Sequence, residues 1–114
     1  MIKIEAFVRE DKFEDVKEAL AKIEVHGITV YQVMGCGIQK GYREVIRGNE
    51  VEINMLPKIK FEIIVSDEVW EKKTIKAIQT DSIYGESWRW QIISYDLKSA
   101  LRIRTGETDK DAIN

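Results

Sequence analysis

The chain has few of the residues that cross-link or interrupt small proteins: one cysteine, one histidine and one proline occur among its 114 residues. One cysteine cannot form a disulfide within the chain. With Cys36 and His26 as its only thiol and imidazole, the chain cannot build a cage of cysteine and histidine ligands around a metal ion. The composition still allows a metal site made of carboxylates.

A strong net charge and a long apolar run are also absent. The 18 basic and 20 acidic side chains leave a formal charge of −2, and no lysine- and arginine-rich block suggests binding to the phosphates of DNA or RNA. No run approaches the roughly 18 apolar residues of a membrane span, and acidic residues interrupt the start where a signal peptide needs an apolar segment. We therefore expect one cytoplasmic domain, 1–114, with no nucleic-acid partner.

Four segments have the alternation or the composition of β-strands. The third follows Pro57, and Gly35 and Gly37 are expected to mark the end of the second. The predicted strands are 2–8, 28–34, 59–65 and 88–97.

Two segments between these strands have the spacing of amphipathic helices. Asp11 is predicted to cap the first helix, which runs until Gly27, and Ser66 and Asp67 open the second. The positions at helical spacing are Phe13, Val16, Leu20 and Ile23 in the first helix, and Trp70, Thr74, Ala77 and Ile78 in the second.

The order βαββαβ is typical of the α+β ferredoxin-like fold, a four-stranded antiparallel sheet with two helices on one face. The other face would carry Phe7, Ile64 and the stems of Lys3, Lys60 and Glu62. An exposed, half-apolar sheet face is usually an interface, so we expect the chain to self-associate.

The segment 38–56 between strands 2 and 3 is too long for an ordinary hairpin turn, since such connections usually have about two to six residues. It contains glycines, an aromatic residue, arginines and aliphatic residues. This composition suits a projecting arm that becomes ordered against a ligand or partner. The alternative is an extended β-ribbon with no partner.

Three separated segments resemble the PII family of nitrogen-regulatory signal-transduction proteins. They are MIKIEAFVREDKFEDVKEALAKIEVHGITVYQVMGCGIQKG at 1–41, LPKIKFEIIV at 56–65 and RIRTGETDKDAI at 102–113. The resemblance implies a homotrimer that binds ATP or ADP in clefts between subunits and, in many members, 2-oxoglutarate through a magnesium ion. Segment 38–56 would be the T-loop, which docks on enzymes or membrane transporters of nitrogen metabolism.

The same resemblance supplies candidate site residues. For 2-oxoglutarate it implies Gln39 and Lys58, with Gln39 also a ligand of the magnesium ion, and an amide oxygen and an ammonium suit these tasks. For the nucleotide it implies Thr29, Gly35, Cys36, Gly37, Glu62, Ile64, Arg89, Arg102 and Arg104. If 102–104 is a strand, its alternation places Arg102 and Arg104 on one face. Without the family, both arginines would be interpreted as solvated or salt-bridged edge residues.

The chain departs from the family where a glycine-rich turn binds phosphates. The sequence there is IYGESWRWQ, in which Gly85 is the remaining glycine and Trp90 lies near the position of the family's lysine. Arg89 is the candidate to replace that positive charge, and the loss of glycines puts triphosphate binding in question. Val51 stands where many members carry a tyrosine that is uridylylated, so this modification cannot occur at that position.

Three classes of function remain open at this point. The first is a PII-type sensor of adenylates that acts through its T-loop. The second is a divergent PII-like protein that binds ADP, AMP or another small anion and regulates a non-ammonium transporter or a partner in carbon metabolism. The third, an enzyme, ranks last because no Ser/His/Asp set and no matched carboxylate pair is recognisable; we expect a protein that is not an enzyme.

Overall fold

The computed structural model describes residues 1–38, 44–46, 49–51, 53–82 and 91–113, and the side chains of 1–36, 55–79 and 91–113. The helices and strands follow the predicted order, with a short ribbon inside the long connection. The strands are β1 (Ile2–Arg9), β2 (Ile28–Ile38), β3 (Glu44–Ile46), β4 (Asn49–Val51), β5 (Ile53–Val65) and β6 (Gln91–Asp96), and the helices are α1 (Phe13–Lys22) and α2 (Glu68–Ser82).

The main sheet has four antiparallel strands in the order β2-β5-β1-β6, and β3 pairs with β4 in a separate ribbon. One face of the main sheet packs against both helices through a single apolar core. The α+β ferredoxin-like fold expected from the sequence is therefore confirmed. The core consists of Ile2, Ile4, Ala6, Val8, Val16, Leu20, Val25, Ile59, Phe61, Ile63, Val65 and Ile78.

Phe61 lies at the centre of this core. It is fully buried, and its ring stacks on that of Phe13 with 5.7 Å between centroids. Burying one such side chain contributes roughly 1.5 to 3 kcal/mol. Phe61 thus lies on the side of β5 that the predicted alternation assigns to the core.

Strand β2 does not end at its glycines, as the sequence had suggested. It continues through Gly35 and Gly37 to Ile38 because β5 pairs with it along this whole length, with Gly35 opposite Leu56 and Gly37 opposite Asn54. Cross-strand pairing here overrides the weak strand preference of glycine.

Strand β5 likewise starts earlier than predicted, before Pro57. The pairing of β1 with β5 stops at Arg9 and Lys58, so Pro57 lies where β5 extends past β1 and pairs with β2 alone. A proline, which lacks an N–H group, is tolerated at a strand position with one open edge. This two-stranded extension leads from the sheet into the long connection.

The start of α1 differs from the prediction. Asp11 does not cap the helix; a 3₁₀ turn, Glu10–Lys12, precedes it, and the helix has no side-chain cap. The carboxylate of Asp11 instead accepts a hydrogen bond of 2.8 Å from the guanidinium of Arg9. The carboxylate of Asp11 thus binds the guanidinium of Arg9 and not the backbone N–H groups at the start of α1.

The end of α1 is also earlier than Gly27. The N–H of Val25 donates to the carbonyl of Leu20 and that of Glu24 to the carbonyl of Ala21, both at 3.0 Å. This is a Schellman motif, in which a glycine usually takes the left-handed position. Here that position is occupied by Glu24, with φ at 64°.

Helix α2 starts as predicted, because the N–H of Trp70 donates to Oδ1 of Asp67 at 3.0 Å. Thr74 and Ile78 are buried on its inner face. In the described part of the chain, no helix is long and apolar enough to cross a membrane. The first three residues of the predicted fourth strand, 88–90, lie outside the described residues.

Candidate functional site

The open face of the sheet, on the side away from the helices, carries polar and aromatic side chains in rows across the strands. The alternation of β1 sends Lys3, Glu5 and Phe7 to this face, and the strand register extends each position sideways. From β2 to β6 the rows are Thr29–Glu62–Glu5–Ile93 and Tyr31–Lys60–Phe7–Gln91, and beside them lies Ile64–Lys3–Tyr95.

Four of these side chains, Lys3, Glu5, Lys60 and Glu62, form what we call the charge cluster. Glu62 is held by both lysines, with Nζ of Lys3 at 3.0 Å from Oε1 and Nζ of Lys60 at 3.1 Å from Oε2. Glu5 lies 3.5 Å from Lys60 and 4.0 Å from Lys3 and accepts a hydrogen bond from the hydroxyl of Tyr95. Each carboxylate therefore has a positive neighbour on both sides.

These contacts shift the pKa values of the cluster. The Tyr95 hydroxyl, followed by the charge of Lys60, lowers the pKa of Glu5. Burial opposes ionisation of Glu62, but hydrogen bonds from Lys3 and Lys60 outweigh it and lower its pKa. Hydrogen bonds to Glu62 raise the pKa of both lysines. The cluster thus stays fully charged across the physiological range.

Apolar surface surrounds the charge cluster. The ammonium of Lys60 lies 5.2 Å from the ring centre of Tyr31 and 6.0 Å from that of Phe7. Tyr31, Ile64, Ile93 and Tyr95 each keep between 37% and 44% of their surface exposed. The expectation of an exposed, half-apolar face is confirmed.

The register brings several of the predicted site residues to this face. Thr29 is directly opposite Glu62, and Ile64 follows on the same side of β5. The side chain of Lys58 passes over Gly35, where a Cβ atom would lie 2.9 Å from its Cε. Glycine is therefore required at position 35 for Lys58 to lie in this way.

Other predicted residues lie elsewhere. Cys36 alternates to the opposite side of β2, where its side chain is exposed, so only its backbone could face a ligand shared with Gly35. Gly37 pairs with Asn54 in the extension of the sheet. Gln39 and Arg89 lie outside the described residues.

Residues 102–104 do not form the strand whose alternation was to place Arg102 and Arg104 on one face. Segment 101–108 is a tight hairpin closed by the bridge from Leu101 to Thr108, with Gly106 at a φ of 74°. The N–H of Gly106 donates to the carbonyl of Arg102 at 2.8 Å. Glycine permits this left-handed turn, which places Arg104 in an exposed bend.

Arg102 is engaged within its own chain. Its Nη2 donates to the carbonyl of Ala112 at 3.3 Å, and its Nη1 lies 3.8 Å from the carboxylate of Glu107. The salt-bridged alternative from the sequence therefore describes this arginine in the single chain.

The sequence alone did not single out Tyr95 or Tyr31. Tyr95 lies beside the charge cluster because it is directly opposite Lys3 in the register of β1 and β6. A register between distant strands leaves no local pattern in the sequence. A cavity of about 280 Å³ where β5 ends was also not predicted; Val25, His26, Ile64 and Trp70 are among its lining residues. Among the described residues, no group of three or more His, Cys, Asp or Glu could hold a metal ion.

Comparison with known proteins extends these observations. Residues 1–107 match the family model of nitrogen regulatory protein P-II. A nitrogen regulatory protein P-II of Pasteurella multocida is 42% identical over 113 residues, which cover 99% of this chain and all of that protein. The same coverage holds for one of Rhodospirillum rubrum at 43% identity. Nitrogen regulatory protein P-II 1 of Methanothermobacter thermautotrophicus is 42% identical, with 99% and 97% covered.

Proposed function

Because the chain belongs to the nitrogen regulatory P-II family, we propose that it is a trimeric regulator that senses adenine nucleotides and acts on a protein target through segment 38–56. Its relatives are named as regulatory proteins, in keeping with a role other than catalysis. The observation that most supports ligand sensing is the grouping of Thr29, Gly35, Lys58, Glu62 and Ile64 on one sheet face.

The trimer is supported by the composition of the open face. Its exposed tyrosines and isoleucines surround charges that already have partners, so a second copy can bury the apolar part without stranding a charge. Closed rotational symmetry covers such a face in every copy. Clefts at the sheet edges between copies would then be the ligand sites, and we place the assembled protein in the cytoplasm.

The residues present fit an adenine nucleotide. The carboxylate of Glu62 and the hydroxyl of Thr29 can hydrogen-bond the ribose hydroxyls, and Ile64 offers an apolar contact to the base. Gly35 leaves room for the side chain of Lys58, whose ammonium over this glycine is suited to a phosphate or to a carboxylate of 2-oxoglutarate. A magnesium ion held with Gln39 would neutralise part of the phosphate charge.

Signalling would use the two-stranded extension of the sheet. Gly35 and Lys58 lie at its base, and the same two strands continue to Ile38 and Ile53, where segment 38–56 begins to project. A ligand that moves Lys58 relative to Gly35 would therefore alter the strands that carry the projecting segment to its target.

A second candidate is the divergent form that binds ADP, AMP or another small anion and regulates a non-ammonium transporter or a carbon-metabolism partner. The contacts of Arg102 with Glu107 and the carbonyl of Ala112 favour it. A guanidinium that already faces a carboxylate offers less net charge to a terminal phosphate. We expect this chain to show little preference for ATP over ADP.

Calorimetric titration with ATP, ADP and AMP, each with and without magnesium and 2-oxoglutarate, tests both candidates. If Arg104→Ala weakens adenylate binding, nucleotide sensing is supported. Lys17→Ala, on the exposed surface of α1, is the matched control and should leave binding unchanged. Strong, selective binding of magnesium-ATP with 2-oxoglutarate would favour the first candidate, and a preference for ADP or AMP the second.

No adenylate binding under any condition would contradict the first candidate and, of the second, would leave only the form that binds another small anion. Light scattering tests assembly separately: a mass near the 13.3 kDa of one chain at micromolar concentration would contradict the trimer.

A further inference from the structure

Sulfur-containing side chains gather on the helix side of the β2–β5 extension. The chain has three methionines and one cysteine, and all of them except Met1 lie here. Cys36 is directly opposite Met55 across the two strands, and Met34, two positions before Cys36, points to the same side. All three side chains are exposed, Met34 by 56% and Met55 by 62%.

The spacing lets the three sulfur atoms reach one point. Residues directly opposite on antiparallel strands have Cβ atoms about 4.5 to 5.5 Å apart, and diagonal neighbours are about 7 to 8 Å apart. Methionine has three rotatable bonds beyond its backbone, so Met34 and Met55 can turn their thioethers toward Cys36. No backbone movement is needed, because the register already aligns these positions.

The described strand positions next to these three residues on this side of the extension are uncharged. On β2 they are Val30 and Gln32, and on β5 the residue opposite Met34 is Pro57. Hard cations such as magnesium and calcium bind carboxylate and carbonyl oxygens, so this surface offers them little. A thiolate with two thioethers is instead a donor set for soft metal ions.

We propose that Met34, Cys36 and Met55 form a binding site for copper(I), distinct from the open face that carries the proposed nucleotide site. The thiol proton of Cys36 leaves as the thiolate binds copper, and the two thioethers bind without a change in charge. No electron is transferred. Bound copper would cross-link β2 to β5 where these strands leave the sheet.

Anaerobic titration of the purified protein with copper(I), in competition with a chromophoric chelator, tests the site. We expect one copper(I) per chain, with Cys36→Ser abolishing binding at this stoichiometry. Met34→Leu and Met55→Leu nearly conserve volume, and each should weaken binding by about tenfold or more, the scale on which even outer partners of a metal site act. Val30→Ala, on the same surface without sulfur, is the matched control and should bind as the parent does.

The two leucine variants decide whether the methionines take part in the site, because an exposed thiol alone can bind copper(I). If both bind copper(I) as tightly as the parent protein, Cys36 acts as an ordinary thiol and the three-sulfur site is refuted. Zinc(II) should not displace the copper, since thioethers are poor zinc ligands; displacement at equal concentration would also refute the site. X-ray absorption at the copper edge should show three sulfur neighbours in the parent and two in each leucine variant.

Discussion

The two faces of the main sheet use the same strands for opposite purposes. On the covered face, Ile4 and Phe61 are completely buried among aliphatic side chains. On the open face, one position further along each strand, Glu5 and Glu62 pair with lysines while tyrosines stay partly exposed. The first face holds the chain folded by burial, and the second holds arranged charges and surface available for binding.

The largest expected effect separates the faces by stability. Phe61→Ala should lower the free energy of unfolding by about 3 to 5 kcal/mol, because it leaves a cavity in the core. Phe7→Ala, on the open face, is the comparison and should cost clearly less in the unassembled chain. Urea denaturation followed by circular dichroism measures both; equal losses would show that Phe7 contributes as much as Phe61, either within one chain or against a second copy.

The next effect separates the faces by ligand binding. Lys58→Ala should weaken binding of the anionic ligand by about 1.5 to 3 kcal/mol, the usual scale of a hydrogen bond to a charged group. Its thermal unfolding should change little, since Lys58 is half-buried at the edge of the four-stranded region. Calorimetry with the best-binding adenylate, with and without 2-oxoglutarate, measures the change, and unchanged affinity would remove Lys58 from the site.

A smaller effect tests the one buried polar side chain beneath the covered face in the described part of the chain. The hydroxyl of Thr74 is buried and has no hydrogen-bond partner among the described residues. Thr74→Val replaces it with a methyl group of similar shape and should stabilise the protein by about 1 kcal/mol. Thr29→Val, on the exposed side of β2, should stay within about 0.5 kcal/mol of the parent. A destabilised Thr74→Val variant would mean that this hydroxyl is satisfied in solution.

The smallest effect concerns the charge cluster and pH. The pKa values of Glu5 and Glu62 are lowered from an ordinary value of 4.5, so their contribution to stability is present above that value. It is lost as the pH falls through the lowered pKa values. Unfolding free energies between pH 7 and about pH 3 should therefore decline less in a Glu5→Gln/Glu62→Gln variant than in the parent. Parallel declines would show that the cluster contributes nothing.

The helix boundaries show how far local patterns reach. Asp67 caps α2 as its position predicted, with its carboxylate accepting from the N–H of Trp70. Asp11 had the same local pattern but binds Arg9 instead. Glu24 takes the left-handed position that the sequence rules assign to glycine. Local rules thus identify where a helix lies more reliably than the residue at which it ends.

By itself, the sequence determined the order of the two helices and of the four strands of the main sheet, the buried side of the central sheet and the composition of the open face. It could do so because alternation and helical spacing follow from the geometry of the backbone within a few residues. The family resemblance could also be recognised from the sequence, because each of the three matched segments is an unbroken stretch of residues.

The tertiary structure decided the relations between distant segments. It extended β2 through its glycines, joined Tyr95 to Glu5 and placed Cys36 opposite Met55. Each of these depends on which residues of two separate segments lie side by side. That register is selected by burial of the whole core and by pairing along entire strands, and no short stretch of sequence contains it.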